Sequence, residues 1–266
     1  MATTEFDTLT ALDAQGDALM VGAIPPRWDI MGNVNGGALL AVAAAGLRRI
    51  AGRPDPISVT AHYLAPGRDG PVEVRGEVAK AGRQFATATG VLRQGERDLL
   101  RLIGTFGDLG AMAGGFRHVT GEPPQLAPID QCVPRSVAAP EVVFQERVKL
   151  LLDPSCAGFW HGSKSGRAEV LGWISLADGR RVDTLALLLL ADALPPTVFN
   201  IDAPAGWVPT LELTVHVRAV PVDGPLRVRV RTQYVHGGLF EEDGEYWDAA
   251  GKLVAQSRQL ALLPRV

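Results

Sequence analysis

The segment Ile57-Ser-Val-Thr-Ala-His-Tyr-Leu-Ala65 returns later in the chain as Leu211-Glu-Leu-Thr-Val-His-Val-Arg-Ala219. The threonine and the histidine of each copy lie 154 residues apart, and the Asp-Gly-Pro turn behind each copy keeps the same offset. Several identities at one constant spacing indicate an internal duplication. We therefore expect two related folding units, each containing this strand.

The first copy reads as one helix followed by four strands. Asn35-Gly36-Gly37 opens an Ala- and Leu-rich run that Gly52 and Pro54 end, which is a pattern typical of a capped helix. Behind it, turn residues separate β-rich segments, which we predict as strands at 57–65, 71–80, 84–93 and 98–107. A helix and four strands at hairpin spacing predict an antiparallel sheet curled around the helix.

The second copy repeats this plan. Strand-like segments lie at 142–152, 167–175, 209–218, 225–235, 239–248 and 252–262, with a helix at 182–194. Between the copies the chain is rich in Gly, Pro and Ala. We predict an N-terminal unit at 1–110, a linker at 111–140 and a C-terminal unit at 141–266.

The second helix carries a carboxylate within an apolar run. Asp183 can cap its start and Pro195-Pro196 stop it, while Asp192 lies near its end among leucines and alanines. A buried carboxylate without partners costs too much free energy to persist. We expect Asp192 to be hydrogen-bonded, and a functional role competes with simple satisfaction of a nearby backbone group.

Composition bounds the function. The net charge of -3 and a pI near 6.0 give no sign of a nucleic-acid partner. The longest apolar run, at 185–191, is too short to span a bilayer, and the N-terminus lacks a signal peptide pattern. Cys132 and Cys156 match no metal or redox spacing. We expect a cytoplasmic protein with no metal and no cofactor.

Other motifs are weaker. Gly162-Ser-Lys-Ser-Gly166 has lysine where a nucleophile elbow needs serine, so we interpret it as a loop. His62 and His216 occupy equivalent repeat positions, and this symmetry favours a shared structural role over catalysis.

The duplicated helix-plus-sheet plan resembles the double hot-dog fold, an α+β architecture of two tandem repeats that form one pseudo-dimer. Asn35-Gly36-Gly37, Ala191-Asp192, Pro209-Thr210 and the final segment Gly251–Gln259 resemble the acyl-CoA thioesterase II family in their order and spacing. The resemblance covers nearly the whole chain except the linker.

This resemblance implies roles for individual residues. The catalytic Asp, Thr and Gln of that family fall on Asp192, Thr210 and Gln259, with Thr214 as the fallback for Thr210. It also implies an acyl-CoA substrate, a place in fatty acid metabolism and a homodimer of double hot dogs. Gly36 and Gly37, with Asn35 before them, are candidate oxyanion and substrate donors, because a helix start offers free N–H groups.

The sequence is compatible with two mechanisms for Asp192, and two other functions compete with thioester hydrolysis. Asp192 either activates a water or attacks the thioester to form an anhydride. A hot-dog hydratase would need a histidine five residues after the aspartate, where this chain has Thr197. A non-catalytic acyl-binding protein of the same fold is the alternative from another class.

Comparison of the two copies predicts a single active site. When the two copies are aligned, Pro56 corresponds to Thr210 and Ile103 or Gly104 corresponds to Gln259. Ala44 or Ala45 corresponds to Asp192. The first copy lacks all three polar groups.

Overall fold

The structure, a computed structural model, describes residues 3–112, 114–135, 142–204 and 206–264. The helices are α1 (Glu5–Leu9), α2 (Gly36–Ala51) and α3 (Ala186–Leu190). The strands of the first half are β1 (Leu12–Ala14), β2 (Leu19–Ile24), β3 (Asp29–Ile30), β4 (Asn33–Val34), β5 (Asp55–Tyr63), β6 (Gly70–Ala81), β7 (Ala86–Gln94) and β8 (Arg97–Gly107). Those that follow are β9 (Val133–Pro134), β10 (Val148–Leu152), β11 (Glu169–Leu176), β12 (Thr210–Val217), β13 (Leu226–Arg231), β14 (Val235–His236), β15 (Leu239–Trp247) and β16 (Leu253–Leu262).

One long antiparallel sheet organises the described chain. Its strand order is β1-β2-β6-β7-β8-β5-β12-β16-β15-β13-β11-β10-β9, with β14 beside β15. The first repeat supplies the strands on one side of the β5–β12 pair and the second repeat supplies those on the other. Helices α2 and α3 pack against each other, and their buried residues belong to one hydrophobic core. The predicted double hot-dog architecture is confirmed.

The duplicated segment forms the junction between the two repeats. In the β5–β12 register Thr60 lies opposite Thr214, its own repeat equivalent, and their Oγ1 atoms are 2.8 Å apart. A pseudo-twofold axis therefore passes between these two threonines. His62 and His216 lie on either side of them, exposed, opposite Glu212 and Ser58 respectively.

Helix α2 follows its predicted boundaries. The Asn35 side chain accepts the Ala38 N–H at 3.1 Å, and Gly52 closes the helix in the left-handed conformation. Arg48 and Arg49 lie in the last turn, where they complement the helix dipole. Alanines fill the buried faces of α2, so neighbouring elements approach its backbone closely.

Helix α3 is shorter than predicted. Asp183 Oδ1 accepts the N–H of Ala186, the first helical residue, at 2.8 Å, but the α-helix begins at Ala186 rather than near 182 and ends at Leu190 rather than near 194. The next residues tighten into three-residue hydrogen-bonded turns, from Asp192 N to Leu189 O and from Ala193 N to Leu190 O. Asp192 therefore lies in a turn beyond the helix.

The connection between the repeats is ordered in its described part. The Ala127 N–H donates to Asp153 and the Trp173 indole donates to the Ala127 carbonyl, so this segment is tied to the second repeat. Part of the predicted 142–152 strand is instead a 3-10 turn at Val143–Glu146. Of the predicted linker, 113 and 136–140 lie outside the described residues, as does 141, the predicted start of the second unit.

Candidate active site

The start of α2 faces the turn that follows α3. The Gly37 N–H donates to Asp192 Oδ2 at 2.9 Å, and the nearby Gly36 N–H also lowers the pKa of this carboxyl group. The first repeat thus supplies a helix N-terminus and the second repeat supplies an anion for it. Free N–H groups and the helix dipole both favour a carboxylate at this position.

Asn35 joins the cap to the carboxylate. Its Oδ1 is committed to the Ala38 N–H, and this orients Nδ2 toward the second repeat. Nδ2 donates to the Asp192 carbonyl oxygen at 2.8 Å and to Oδ2 at 3.3 Å. The three residues predicted as oxyanion or substrate donors therefore all contact Asp192, and their role toward a substrate stays a prediction.

The two glycines are required by close approach rather than by backbone conformation. A Cβ on Gly37 would lie 2.3 Å from the Leu189 carbonyl oxygen, and one on Gly36 would lie 2.7 Å from Asp192 Oδ2. Contacts this short do not occur between ordinary side chains and backbone. The Gly-Gly pair allows the two repeats to meet at the carboxylate.

Thr210 and Gln259 meet beside Asp192. Gln259 Nε2 donates to Thr210 Oγ1 at 2.8 Å, and the Thr210 hydroxyl lies near enough to the Asp192 carboxyl group to lower its pKa. Because Thr210 accepts from the amide, its single proton is free to be donated to the carboxylate. The three predicted catalytic side chains thus lie together.

A β-bulge accompanies the placement of Thr210. The β12–β16 register shifts between Thr210 and Glu212, and the equivalent β5–β8 register shifts between Pro56 and Ser58. Bulges redirect side chains at sheet irregularities. Thr214, the fallback, instead contacts Thr60 and Glu212 at the junction between the repeats.

Burial sets the protonation state of Asp192. Desolvation raises the pKa of this carboxyl group from 3.8 to about 7, and the nearby Glu242 adds to the increase. The N–H groups of Gly37 and Gly36 and the Thr210 hydroxyl oppose it, since they stabilise the charged form. Part of the Asp192 surface remains accessible, so proton exchange with solvent is open to it.

Glu242 is a second buried carboxylate that the sequence did not reveal. It lies on the inner face of β15, directly opposite Gln259, and accepts the Thr197 N–H at 2.7 Å. Burial raises its pKa above the ordinary value. Glu242 therefore contributes negative charge near Asp192 whenever it is ionised.

We expect Glu242→Gln to lower the midpoint of the Asp192 titration by about half a pH unit or more, because removing a like charge favours ionised Asp192. The measurement is the NMR titration of the Asp192 carboxyl group, with the exposed Glu77→Gln of the other repeat as control. A midpoint that stays in place or moves upward would show that Glu242 does not influence Asp192.

The equivalent region of the first repeat is filled. Gly104 pairs with Val59 in the same way as Gln259 pairs with Leu213, so Gly104 is the equivalent of Gln259 in the first repeat. By the same comparison, Ala88 is the equivalent of Glu242. The Phe106 ring occupies the space that a side chain at Gly104 would need. At this place the described first repeat therefore has no counterpart of the Gln259 side chain.

Two further polar residues near Asp192 could have been identified by comparing the two repeats. Glu242 corresponds to Ala88, and Tyr63, whose hydroxyl donates to the Gly36 carbonyl at 3.0 Å, corresponds to Val217. Both are polar residues in one copy and apolar in the other. A search for this asymmetry over every strand, rather than over three residues, would have found them.

Within the described ranges, no group of three His, Cys, Asp or Glu side chains is arranged to hold a metal ion. No helix in the part of the chain described is long and apolar enough to cross a membrane.

Comparison with known proteins extends over both repeats. A family model for the N-terminal domain of acyl-CoA thioesterases matches residues 24–107, and one for their C-terminal domain matches residues 123–263. A candidate thioesterase II from Thermobifida fusca YX is similar in structure, with a TM-score of 0.90, 32% sequence identity, and coverage of 100% of this chain and 99% of that chain.

Two further relatives are more distant. An uncharacterized protein of Mycobacterium tuberculosis is 28% identical over 263 residues, covering 91% of this chain and 90% of its own length. An acyl-CoA thioesterase II from Mycobacterium marinum has a TM-score of 0.74 at 16% identity, with 98% of each chain covered, and this shows a shared fold.

Proposed function

Because the chain belongs to the acyl-CoA thioesterase family and is a thioester hydrolase, we propose that it hydrolyses an acyl-CoA with a water activated by Asp192 and held by Thr210 and Gln259. The observation that supports this most is the grouping of Gln259, Thr210 and Asp192 at the meeting point of the repeats, with Gln259 hydrogen-bonded to Thr210. A carboxylate with a pKa of about 7 can act as a general base at neutral pH.

The reaction requires one proton to be moved twice. Water attacks the thioester carbonyl carbon while the Asp192 carboxylate takes one of its protons, giving a tetrahedral intermediate. The intermediate collapses as the C–S bond breaks, and protonated Asp192 returns the proton to the leaving sulfur. The products are the free acid and CoA, and Asp192 is again ionised.

Thr210 and Gln259 fix the direction of the base in this proposal. The Thr210 hydroxyl donates to the carboxylate, and Gln259 keeps that hydroxyl oriented by donating to its oxygen. This order leaves the Gln259 Oε1 as an acceptor for the attacking water. Pre-aligned partners of this kind reduce the cost of ordering the reactants.

The predicted oxyanion donors fit the same cycle. In the resting site the Gly37 N–H is donated to Asp192 Oδ2. As Asp192 takes the proton of the water it loses charge, and its hold on this donor weakens while the oxyanion forms. We propose that the start of α2 then stabilises the tetrahedral intermediate, with Gly36, Gly37 and Asn35 as its donors.

Direct attack by Asp192 is the mechanistic alternative. It would give a mixed anhydride, and water attacking the Asp192 carbonyl would then leave one solvent oxygen on the protein. Single-turnover hydrolysis in ¹⁸O-labelled water, followed by mass analysis of the peptide containing Asp192, tests this. We expect label in the released acid alone, and label in the peptide would contradict water activation.

The rival function is acyl-CoA binding without turnover. Incubating the protein with acyl-CoAs of increasing chain length and a thiol-detecting reagent separates the two functions. We expect CoA release above background with at least one chain length. Saturable binding without CoA release for the whole series would overturn hydrolysis in favour of a binding protein.

We expect Thr210→Val to lower kcat by about 10- to 100-fold, because a hydrogen bond to a charged group is worth about 1.5–3 kcal/mol. Adding Gln259→Ala to Thr210→Val should change little further, since the two residues act as one chain. The control is Thr214→Val at the junction between the repeats, for which we expect near-normal turnover. A larger loss for Thr214→Val than for Thr210→Val would reassign the threonine.

The residue at position 197 argues against a hot-dog hydratase function, because that function needs a histidine there and this chain has Thr197. Its N–H is donated to Glu242 and its hydroxyl contacts that of Thr232, so this position supplies no histidine base. A cytoplasmic location, a place in fatty acid metabolism and a homodimer stay predictions from the sequence.

A further inference from the structure

Tyr63 contacts the site from the first repeat without touching the carboxylate. It ends β5, and its hydroxyl donates to the carbonyl oxygen of Gly36 at 3.0 Å. Its ring packs so closely on Gly36 that a Cβ there would lie 3.0 Å from Tyr63 Cε1. Burial raises the pKa of Tyr63 well above its ordinary value, and Asp192 and Glu212 add to this, so the hydroxyl remains a donor.

The accepting carbonyl and the Gly37 N–H belong to the same peptide group. One end of this peptide accepts from Tyr63, and the other end donates to Asp192 Oδ2 at 2.9 Å. A peptide is planar, so fixing its carbonyl also fixes the direction of its N–H. Hydrogen bonds in series also polarise one another, which makes the N–H a stronger donor.

We propose that Tyr63 is a positioning residue that orients and polarises the Gly36–Gly37 peptide toward Asp192. The proposal rests on the proposed function for its catalytic meaning, but the contact itself does not depend on turnover. Glycine on both sides of the peptide gives the backbone more freedom than other residues would. Tyr63 adds an anchor from outside the helix to the hold that the helical hydrogen bonds of α2 give this peptide.

The repeat comparison supports a specific role. The residue equivalent to Tyr63 in the second copy is Val217, which is fully apolar and buried. The fold itself therefore needs no hydroxyl at this position. The tyrosine occurs only in the copy whose helix start faces a carboxylate.

Removing the Tyr63 hydroxyl should change the pKa of Asp192 in one direction. A weaker and less directed N–H stabilises the Asp192 anion less, so the midpoint of the Asp192 titration should rise. The other titratable groups around this carboxyl are Glu242 and Tyr246 from β15, and Glu212 from β12 lies beside Tyr63. Tyr63→Phe leaves all three unchanged.

The test follows the Gly37 amide by ¹⁵N NMR in glycine-labelled protein across pH 5 to 9. We expect its shift to titrate with Asp192, near pH 7, and to lose this step in Asp192→Asn. Gly36 should titrate as well, and carbonyl-¹³C labelling of glycine distinguishes Gly37, which follows a glycine, from Gly36, which follows Asn35. In Tyr63→Phe we expect the midpoint to rise by about half a unit. Tyr234→Phe, at an exposed tyrosine, should titrate like the wild type.

An unchanged or lowered midpoint in Tyr63→Phe would overturn the positioning role. If that variant does not fold, 3-fluorotyrosine introduced at position 63 keeps the contact with a stronger donor, and the midpoint should then fall instead. The readout is independent of catalysis. A midpoint shift in a protein that releases no CoA would reject the proposed function alone, and an active protein without the shift would reject this inference alone.

Discussion

Replacing Asp192 by asparagine is expected to lower kcat by about 10²- to 10⁴-fold, the range that a positioned general base contributes. Asparagine keeps the size of the side chain and an acceptor for the Gly37 N–H, but it cannot take a proton from water. The measurement is steady-state CoA release at saturating acyl-CoA. KM should change far less than kcat, because the substitution removes a proton acceptor and leaves the shape of the site.

The matched control is Asp202→Asn, whose carboxylate is fully exposed and should leave turnover unchanged. An Asp192→Asn variant with more than about a tenth of wild-type activity would contradict the account, since a positioned general base typically contributes about 10²- to 10⁴-fold.

The same substitution should stabilise the protein at alkaline pH. The unfolded pKa of Asp192 is about 3.8 and the folded value is about 7, so the folded state binds the proton more tightly. The wild type therefore loses stability as pH rises between these values. A difference of about three pH units between the two pKa values corresponds to about 4 kcal/mol of unfolding free energy. We expect about half of this, because partial solvent access of the Asp192 carboxylate reduces the cost of its burial. Urea unfolding should show Asp192→Asn more stable than wild type at pH 8, with the difference narrowing toward pH 4.

Gly37→Ala is the second substitution with a large expected effect. Its new Cβ would lie 2.3 Å from the Leu189 carbonyl oxygen, so either α2 or the end of α3, from which the turn carrying Asp192 follows, must move. Forcing a methyl group into packed backbone costs about 3 kcal/mol. We expect a lower midpoint of urea unfolding together with loss of turnover, since the displaced N–H no longer meets Asp192.

Two comparisons make this result specific. Gly115→Ala has no neighbour closer than 3.9 Å and should behave as wild type. Gly36→Ala, whose Cβ would meet the Asp192 carboxylate itself, should lose activity with less loss of stability because a side chain moves more cheaply than backbone. A stable and fully active Gly37→Ala would show that the close contact between the repeats is not required.

The repeat pattern in the sequence predicted most of the fold. Identity at one offset predicted two equivalent units, and the structure places the repeated threonines face to face at their junction. In the first repeat, turn residues gave the boundaries of the four predicted strands to within two residues, and Asn35 and Gly52 gave both ends of α2. These features are local, so short segments of sequence are enough to reveal them.

The length of α3 depended on contacts that no local pattern encodes. Residues 182–194 are apolar enough for a longer helix, yet the chain turns after Leu190 so that Asp192 meets the start of α2. Glu242 and Tyr63 were missed for a similar reason. Each is one polar residue in an alternating strand, and only its neighbours across the sheet or on the other repeat give it a role.

The most direct test of the central claim is the pH dependence of kcat/KM for the wild-type protein. If ionised Asp192 is the base, kcat/KM should fall about tenfold per pH unit below an apparent pKa of about 7 and level off above it. The residual rate of Asp192→Asn should lack this limb. A wild-type profile that stays flat from pH 5 to 8, or a limb that persists in Asp192→Asn, would contradict the assignment of Asp192 as the catalytic base.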